Sequence, residues 1–216
     1  MEERKVKMGG RGASSGGRQG GGGGLKAGDI LSTTSLISDR ENYAISSDIL
    51  GAVSDVYDEY GLQLEDLHIA TLKSNANAIA YYDGANVAFN KTFMNENTIN
   101  KAYADSVKSG FHPSNGSRTP AEAVAYHELG HALTDAVGKK MGGLDIDTAS
   151  TRIVTEARKQ TNHKGVVQMA SKISGYATHS NAETIAEAFA DWKCNGSKAK
   201  VESKAIVKVV DSYLKP

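Results

Sequence analysis

The chain has almost no cysteine: Cys194 stands alone among 216 residues. One thiol cannot build an internal disulfide framework, which fits a reducing compartment. It sits in Trp192-Lys193-Cys194-Asn195, where no neighbouring pattern would activate a thiolate, so a packing role is expected. Excess charge of either sign is also missing. The 25 basic residues balance the 25 acidic ones. A general phosphate-binding surface needs a basic excess, so no nucleic-acid partner is expected. No apolar run approaches the roughly 18 residues of a membrane span, so no membrane partner is expected. Met1-Glu2-Glu3-Arg4-Lys5 is not followed by an apolar stretch, and a secretory signal is therefore not expected. The expected setting is the cytoplasm, or delivery by a route without a classical signal peptide. A longer parent protein stays open.

The length leaves room for one domain with a sizeable core, preceded by a tail. Residues 1–27 are Gly-rich, with Arg4, Lys5, Lys7, Arg11, Arg18 and Lys26 scattered through them. Such a segment has little apolar area to bury and is expected to be a disordered basic tail, a tether rather than a nucleic-acid contact. Residues 28–216 are expected to form the folded domain.

What the chain does have is Tyr126-His127-Glu128-Leu129-Gly130-His131. Two His four residues apart lie on one face of a helix, one turn from each other, so both imidazoles can reach one small cation. The Glu beside the first His is then placed as a general base, the arrangement of a hydrolytic zinc site. The surrounding sequence predicts the helix. Thr119-Pro120-Ala121-Glu122 is a capping box with Pro at the first helical position. The run from Ala121 to Val137 lacks Pro, and Gly138 is read as its stop, with Lys139 and Lys140 near the negative end of the dipole. Gly130 costs about 1 kcal/mol inside a helix relative to Ala, and close approach of another segment would account for it. An exposed polar face is the plainer reading of the same spacing.

Around this motif the pattern predicts a mostly helical α+β domain. A helix capped by Ser46-Ser47-Asp48 carries Ile49, Val53, Val56, Tyr57 and Tyr60 and ends at Gly61. Leu64 to Leu72 alternates as a strand, with His68 on its solvent face. Residues 78–82 and 85–90 flank Asp83-Gly84, a hairpin signal. A helix with Ile99, Ala102, Tyr103 and Val107 on one side stops at Gly110. The loop from Phe111 to Ser117 then carries His112, read as a surface residue. Helices are predicted over 148–160, 166–173 and 198–214, the last with Val201, Ile206, Val207, Val210 and Leu214 apolar, and His163 is read as exposed.

Two His do not complete a catalytic zinc site, which takes three protein ligands and an open position. The metzincin spacing is excluded, because Val137 stands where its third His would fall and Thr134 where its Gly would. The best source is the segment from Asn181, an N-cap candidate, to Trp192. Glu183, Glu187 and Asp191 recur one turn apart along it. Three acids in line repel on an isolated helix unless they face cations, such as a metal or the N–H groups of its His ligands. A solvated acidic face is the alternative.

The segment Tyr176-Ala177-Thr178-His179-Ser180-Asn181-Ala182-Glu183-Thr184-Ile185-Ala186-Glu187-Ala188-Phe189 resembles the corresponding part of anthrax lethal factor and its relatives. Those are zincin metallopeptidases with two His from a His-Glu-x-x-His helix and a Glu from a later helix. The resemblance covers about 119–137 and 174–192. It implies a zincin-like domain with a small mixed sheet packed on the motif helix. It also implies a zinc ion on His127, His131 and Glu183, with Glu187 supporting the ligands and Tyr176 stabilising the oxyanion. The implied activity is hydrolysis of a protein or peptide substrate, with Glu128 as general base. His179 is a candidate substrate or oxyanion contact. In zincins an extended substrate lies along an edge strand, for which residues 85–90 and 78–82 are both candidates. Thr184 and Ile185 depart from the family's aromatic residues after the ligand Glu. A second frame, with Glu187 as ligand and Asp191 behind it, therefore stays open. Met8 to Gly16 loosely resembles tails of phage head-associated and polymorphic-toxin proteins. That implies a phage or mobile-element setting, association with a virion, and a non-catalytic zinc-stabilised module as the alternative function.

Overall fold

A computed structural model describes residues 30–36, 42–73 and 78–215. The basic tail expected over 1–27 lies outside them. In chain order the elements are β1 (Ile30–Ser35), α1 (Tyr43–Tyr60), β2 (Leu67–Leu72), β3 (Ala80–Tyr82), β4 (Val87–Asn90), α2 (Glu96–Lys108), α3 (Pro120–Lys140), α4 (Ile146–Lys159), α5 (Val166–Ile173), α6 (Asn181–Asn195) and α7 (Val201–Leu214). The class is α+β. A small mixed sheet, ordered β1-β2-β4-β3, lies beside a larger helical body.

Two helices form the centre of that body. Every residue from Tyr126 to Thr134 in α3 is buried, and so is every residue from Ala182 to Asp191 in α6. A helix buried all round belongs in the core, and α3 packs on α1, α4, α6, α7 and β3. Polar side chains in two such stretches have no route to water, so they must satisfy one another. That constraint fixes where the site lies.

The sheet obeys the two-residue period. Leu67, Ile69, Ala80, Tyr82, Val87 and Phe89 join the main core with the helices, while Ala70, Tyr81 and Ala88 form a smaller cluster on the other face. Strands β3 and β4 make the expected antiparallel hairpin, and β4 then lies parallel to β2. Of the two candidate edges only β3 is one: β4 is interior, and β3 flanks α3. Strand β1 was not predicted. Its four central residues are exposed, Leu31 at 62%, so it carries no alternation of apolar and polar residues to read.

Several boundaries move. Helix α1 starts at Tyr43 rather than at the Ser46-Ser47-Asp48 cap, because Ile45 joins Ile49, Ala52 and Val56 on its buried stripe; Tyr57 is 49% exposed. Gly138 does not stop α3, which runs on to Lys140 before Gly142 and Gly143 turn the chain with positive φ. A Cβ on Gly138 would lie 2.5 Å from the Leu144 carbonyl oxygen, so the residue makes room for the returning loop. Val201 in α7 is exposed. His163 is half-buried and pairs with Glu202 across 2.6 Å.

Candidate metal centre

The α3 cap forms as the sequence predicts. Thr119 Oγ1 accepts from Glu122 N, and Glu122 Oε2 accepts from Thr119 N. Eight residues after Thr119, His127 begins the buried pair. Gly130 sits between His127 and His131, and a Cβ there would lie 2.8 Å from Ala186 Cα and 3.3 Å from Phe189 Cβ. Its missing side chain lets α6 press directly against α3. The N-cap of α6 is Ser180, not Asn181, and its Oγ accepts from Glu183 N. Glu183 therefore holds the position that Glu122 holds in α3. Its carboxylate does not turn back to a cap; it lies against the two imidazoles.

His127, His131 and Glu183 are all buried, and each offers one ligand atom within 4.8 Å of the others. Glu183 Oε2 is 3.2 Å from His127 Nε2 and 3.4 Å from His131 Nε2. The group can hold a metal ion. The hydrogen-bond pattern shows why something positive is needed there. His127 Nδ1 lies 2.8 Å from Glu187 Oε1, and a carboxylate oxygen can only accept. A proton is therefore on Nδ1, and Nε2 faces Glu183 Oε2, with room between the two atoms for a proton or a metal ion. Burial alone would raise the Glu183 carboxyl, but the His131 and His127 rings hold it well below the usual carboxylate range. Burial would likewise lower His127, yet Glu183 and Glu187 raise it well above the ordinary histidine value. Each shift marks a site that favours a cation between these groups.

Glu187 lies on the outer side of the His127 ring and is fully buried. Besides His127 it receives Ser174 Oγ at 2.6 Å on Oε2, and His112 Nδ1 at 3.1 Å from both oxygens. Despite its burial, these partners hold its pKa below the usual carboxylate range. His112 corrects the sequence reading: it is 2% exposed, not a surface residue. Its loop is tied to the turn before α6 by Gly175 N to Gly110 O and Tyr176 N to Phe111 O. Its ring stacks on Tyr103 and meets Tyr176 edge-on. Ser174 was missed too. Asp191 takes no part in the cluster; it accepts from Asn195 Nδ2 and Lys200 N and joins α6 to α7.

Glu128 is 0% exposed. Burial, joined by the charges on Glu183 and Glu187, pushes its pKa up to about 8, against the pull of His127 and the Tyr82 amide. Tyr82 belongs to the edge strand. Asn90 N to Ile79 O and Asp83 N to Asn86 O mark the hydrogen-bonded pairs of the hairpin. By alternation, the main-chain groups of Ala80 and Tyr82 point away from β4. Tyr176 is buried in a 3₁₀ turn (Tyr176–His179), its ring stacked on His127 at 5.8 Å. Burial, with Glu183 and Glu128 nearby, raises its hydroxyl well above the ordinary value. His179 is exposed, with Nδ1 3.1 Å from the Tyr176 carbonyl oxygen and its ring against Phe111 and Tyr176. Cys194 is buried outside the cluster, and burial pushes its thiol up to about 12, an inert packing residue. No helix among the described residues is long and apolar enough to cross a membrane.

Comparison with protein-family models, with curated proteins and with solved structures finds no match.

Proposed function

We propose that the chain is a zinc-dependent endopeptidase of the zincin kind, with His127, His131 and Glu183 as the protein ligands. The observation that carries this reading is the convergence of His127 Nε2 and His131 Nε2 on Glu183 Oε2, at 3.2 and 3.4 Å, beside a second fully buried carboxylate, Glu128. Ligand atoms about 2.0–2.1 Å from a tetrahedral zinc lie about 3.3 Å from each other. The 3.2 and 3.4 Å contacts of Glu183 Oε2 with the two imidazoles fit that geometry. Zinc, when bound, supplies Lewis acidity toward a peptide carbonyl and a water made acidic enough to lose a proton near pH 7.

The chain's own residues supply the rest. With the ion bound, the charge of Glu128 is offset, and its carboxylate can take a proton from an attacking water and return it to the leaving amine. Tyr176 keeps its hydroxyl proton at any physiological pH and donates it toward the oxyanion. An extended peptide adds along β3, the sheet edge that flanks α3 and whose Tyr82 amide meets Glu128. His179 stands exposed beside Tyr176, where it can meet the substrate.

A metal staple joining α3 to α6 without catalysis, as in a structural module of a virion, is the competing reading. Glu128 separates the two. A fully buried carboxylate costs stability, and a staple has no use for it. Glu128→Gln is expected to leave zinc binding intact and to abolish cleavage of a peptide library by the zinc-loaded protein. Zinc bound with no cleavage by the wild type would favour the staple, and no zinc bound would remove both readings.

A further inference from the structure

We infer that His112, far from the motif in sequence, is a positioning residue for the metal ligand His127, acting through Glu187. The inference deepens the zinc reading and rests on it only for its affinity arm.

A carboxylate that orients a ligand imidazole must itself be held. Glu187 Oε1 receives His127 Nδ1 at 2.8 Å, and Ser174 Oγ takes Oε2 at 2.6 Å. Ser174 Oγ is also bound by Ala177 N. One donor on each oxygen leaves the plane of the carboxylate set by two small groups. His112 Nδ1 lies 3.1 Å from both oxygens, so it bridges them and fixes that plane. The side chains of His112 and Glu187 are both 0% exposed, so no water substitutes for the bond. His112 is in turn clamped from three directions. Tyr103 of α2 stacks on its ring, Phe111 and Tyr176 meet it edge-on, and its amide reaches Ser106 O.

The tautomer follows from the same geometry. Nδ1 faces a carboxylate and must carry a proton. His112 Nε2 is buried with no hydrogen bond. A ring retained for packing alone leaves an apolar side chain as good a choice there. Only the Nδ1 bond to Glu187 gives the imidazole a use. The chain of contacts runs from α2 through His112, Glu187 and His127 to the metal position.

Two measurements test this. In wild-type, metal-free protein, long-range proton–nitrogen correlation of the imidazoles is expected to show a proton on Nδ1 of both His112 and His127. A His112 ring without a proton on Nδ1 would overturn the inference whatever the zinc result. The second is zinc affinity by chelator competition. His112→Leu removes the donor and is expected to weaken zinc binding by about tenfold to a hundredfold. His112→Asn, whose amide nitrogen sits where Nδ1 does, is expected to hold within about threefold of wild type. Folded His112→Leu protein with wild-type affinity would overturn the inference. If His112→Leu does not fold, an Asn variant as weak as a His112→Ala variant would do the same. Failure of the wild type to cleave peptides bears on the proposed activity and leaves these readouts untouched.

Discussion

Glu128 carries the largest electrostatic cost in the centre, and the cost depends on pH. Its carboxyl is pushed from 4.5 to about 8 in the metal-free fold, first by burial and then by Glu183 and Glu187. Below pH 4.5 it is protonated in both folded and unfolded chains, and pH has no effect through it. Between 4.5 and 8 the unfolded chain releases the proton while the fold retains it. Stability then falls as pH rises, by at most about 1.4 kcal/mol per unit. Gln at this position is neutral throughout. In thermal unfolding with chelator present, Glu128→Gln is expected to melt near the wild type at pH 5 and progressively above it towards pH 8. A gap that does not change across this range would mean that Glu128 is not held protonated in the fold. Tyr176 tests the other polar group. Tyr176→Phe keeps the ring stacked on His127, so zinc affinity should hold, while kcat for peptide cleavage should drop by roughly a hundredfold through loss of one oxyanion donor. Equal losses in kcat and zinc affinity would assign the hydroxyl to holding Glu183, to which it hydrogen-bonds, and not to the oxyanion.

At the scale of elements, the contact between α3 and α6 is what assembles the ligands, and Gly130 is its narrowest point. Ala would gain about 1 kcal/mol in helix propensity. Its Cβ, however, would sit 2.8 Å from a main-chain atom, Ala186 Cα, which cannot rotate away. Overpacking of this kind costs typically about 1–3 kcal/mol, so Gly130→Ala is expected to lower the urea midpoint and to weaken zinc binding as α6 moves off the histidines. A stabilised variant with unchanged affinity would show that the helices can part at no cost to the site. The close approach at Gly130 was readable because glycine in a helix needs a reason. The helices themselves were readable from their apolar periodicity, and α3 most closely because its cap agreed with it. Gly138 misled, because a glycine near a run of lysines reads as a stop whether it ends the helix or admits a neighbour. Strand β1 was silent, since an exposed strand shows no alternation. His112 was invisible for a different cause: what buries it is Tyr103, Tyr176 and Glu187, none of them near it in the chain except the first. A single imidazole in a loop with Pro113 and Gly116 carries no local mark of such contacts. The period of four in Glu183, Glu187 and Asp191 was legible, but their roles were not. Glu183 meets the imidazoles, Glu187 stands behind one of them, and Asp191 belongs to the joint with α7.

At the scale of the whole molecule, the centre joins the two helices on which the core is built, so an ion bound there would couple its binding to folding. The three candidate ligand atoms come together only when α3 and α6 are packed, so an unfolded chain offers no such site. A ligand bound by the native state alone adds RT ln(1 + [L]/Kd) to the unfolding free energy, about 2.7 kcal/mol at a hundredfold excess over Kd. Excess zinc is therefore expected to raise Tm, and chelator to reverse the rise. His131→Ala and Glu183→Ala should each abolish the zinc-dependent part, because either leaves α3 or α6 short of a ligand. Glu128→Gln should keep all of it, since that residue contributes nothing to holding the ion. The His112 variants fall between: His112→Leu should need more zinc for the same rise, by the factor its Kd has changed, and should gain less than the wild type by a constant amount at equal excess zinc. If zinc binds at the expected stoichiometry but leaves Tm and the response of these variants unchanged, the ion is seated elsewhere, and the buried pair of helices is held by packing alone.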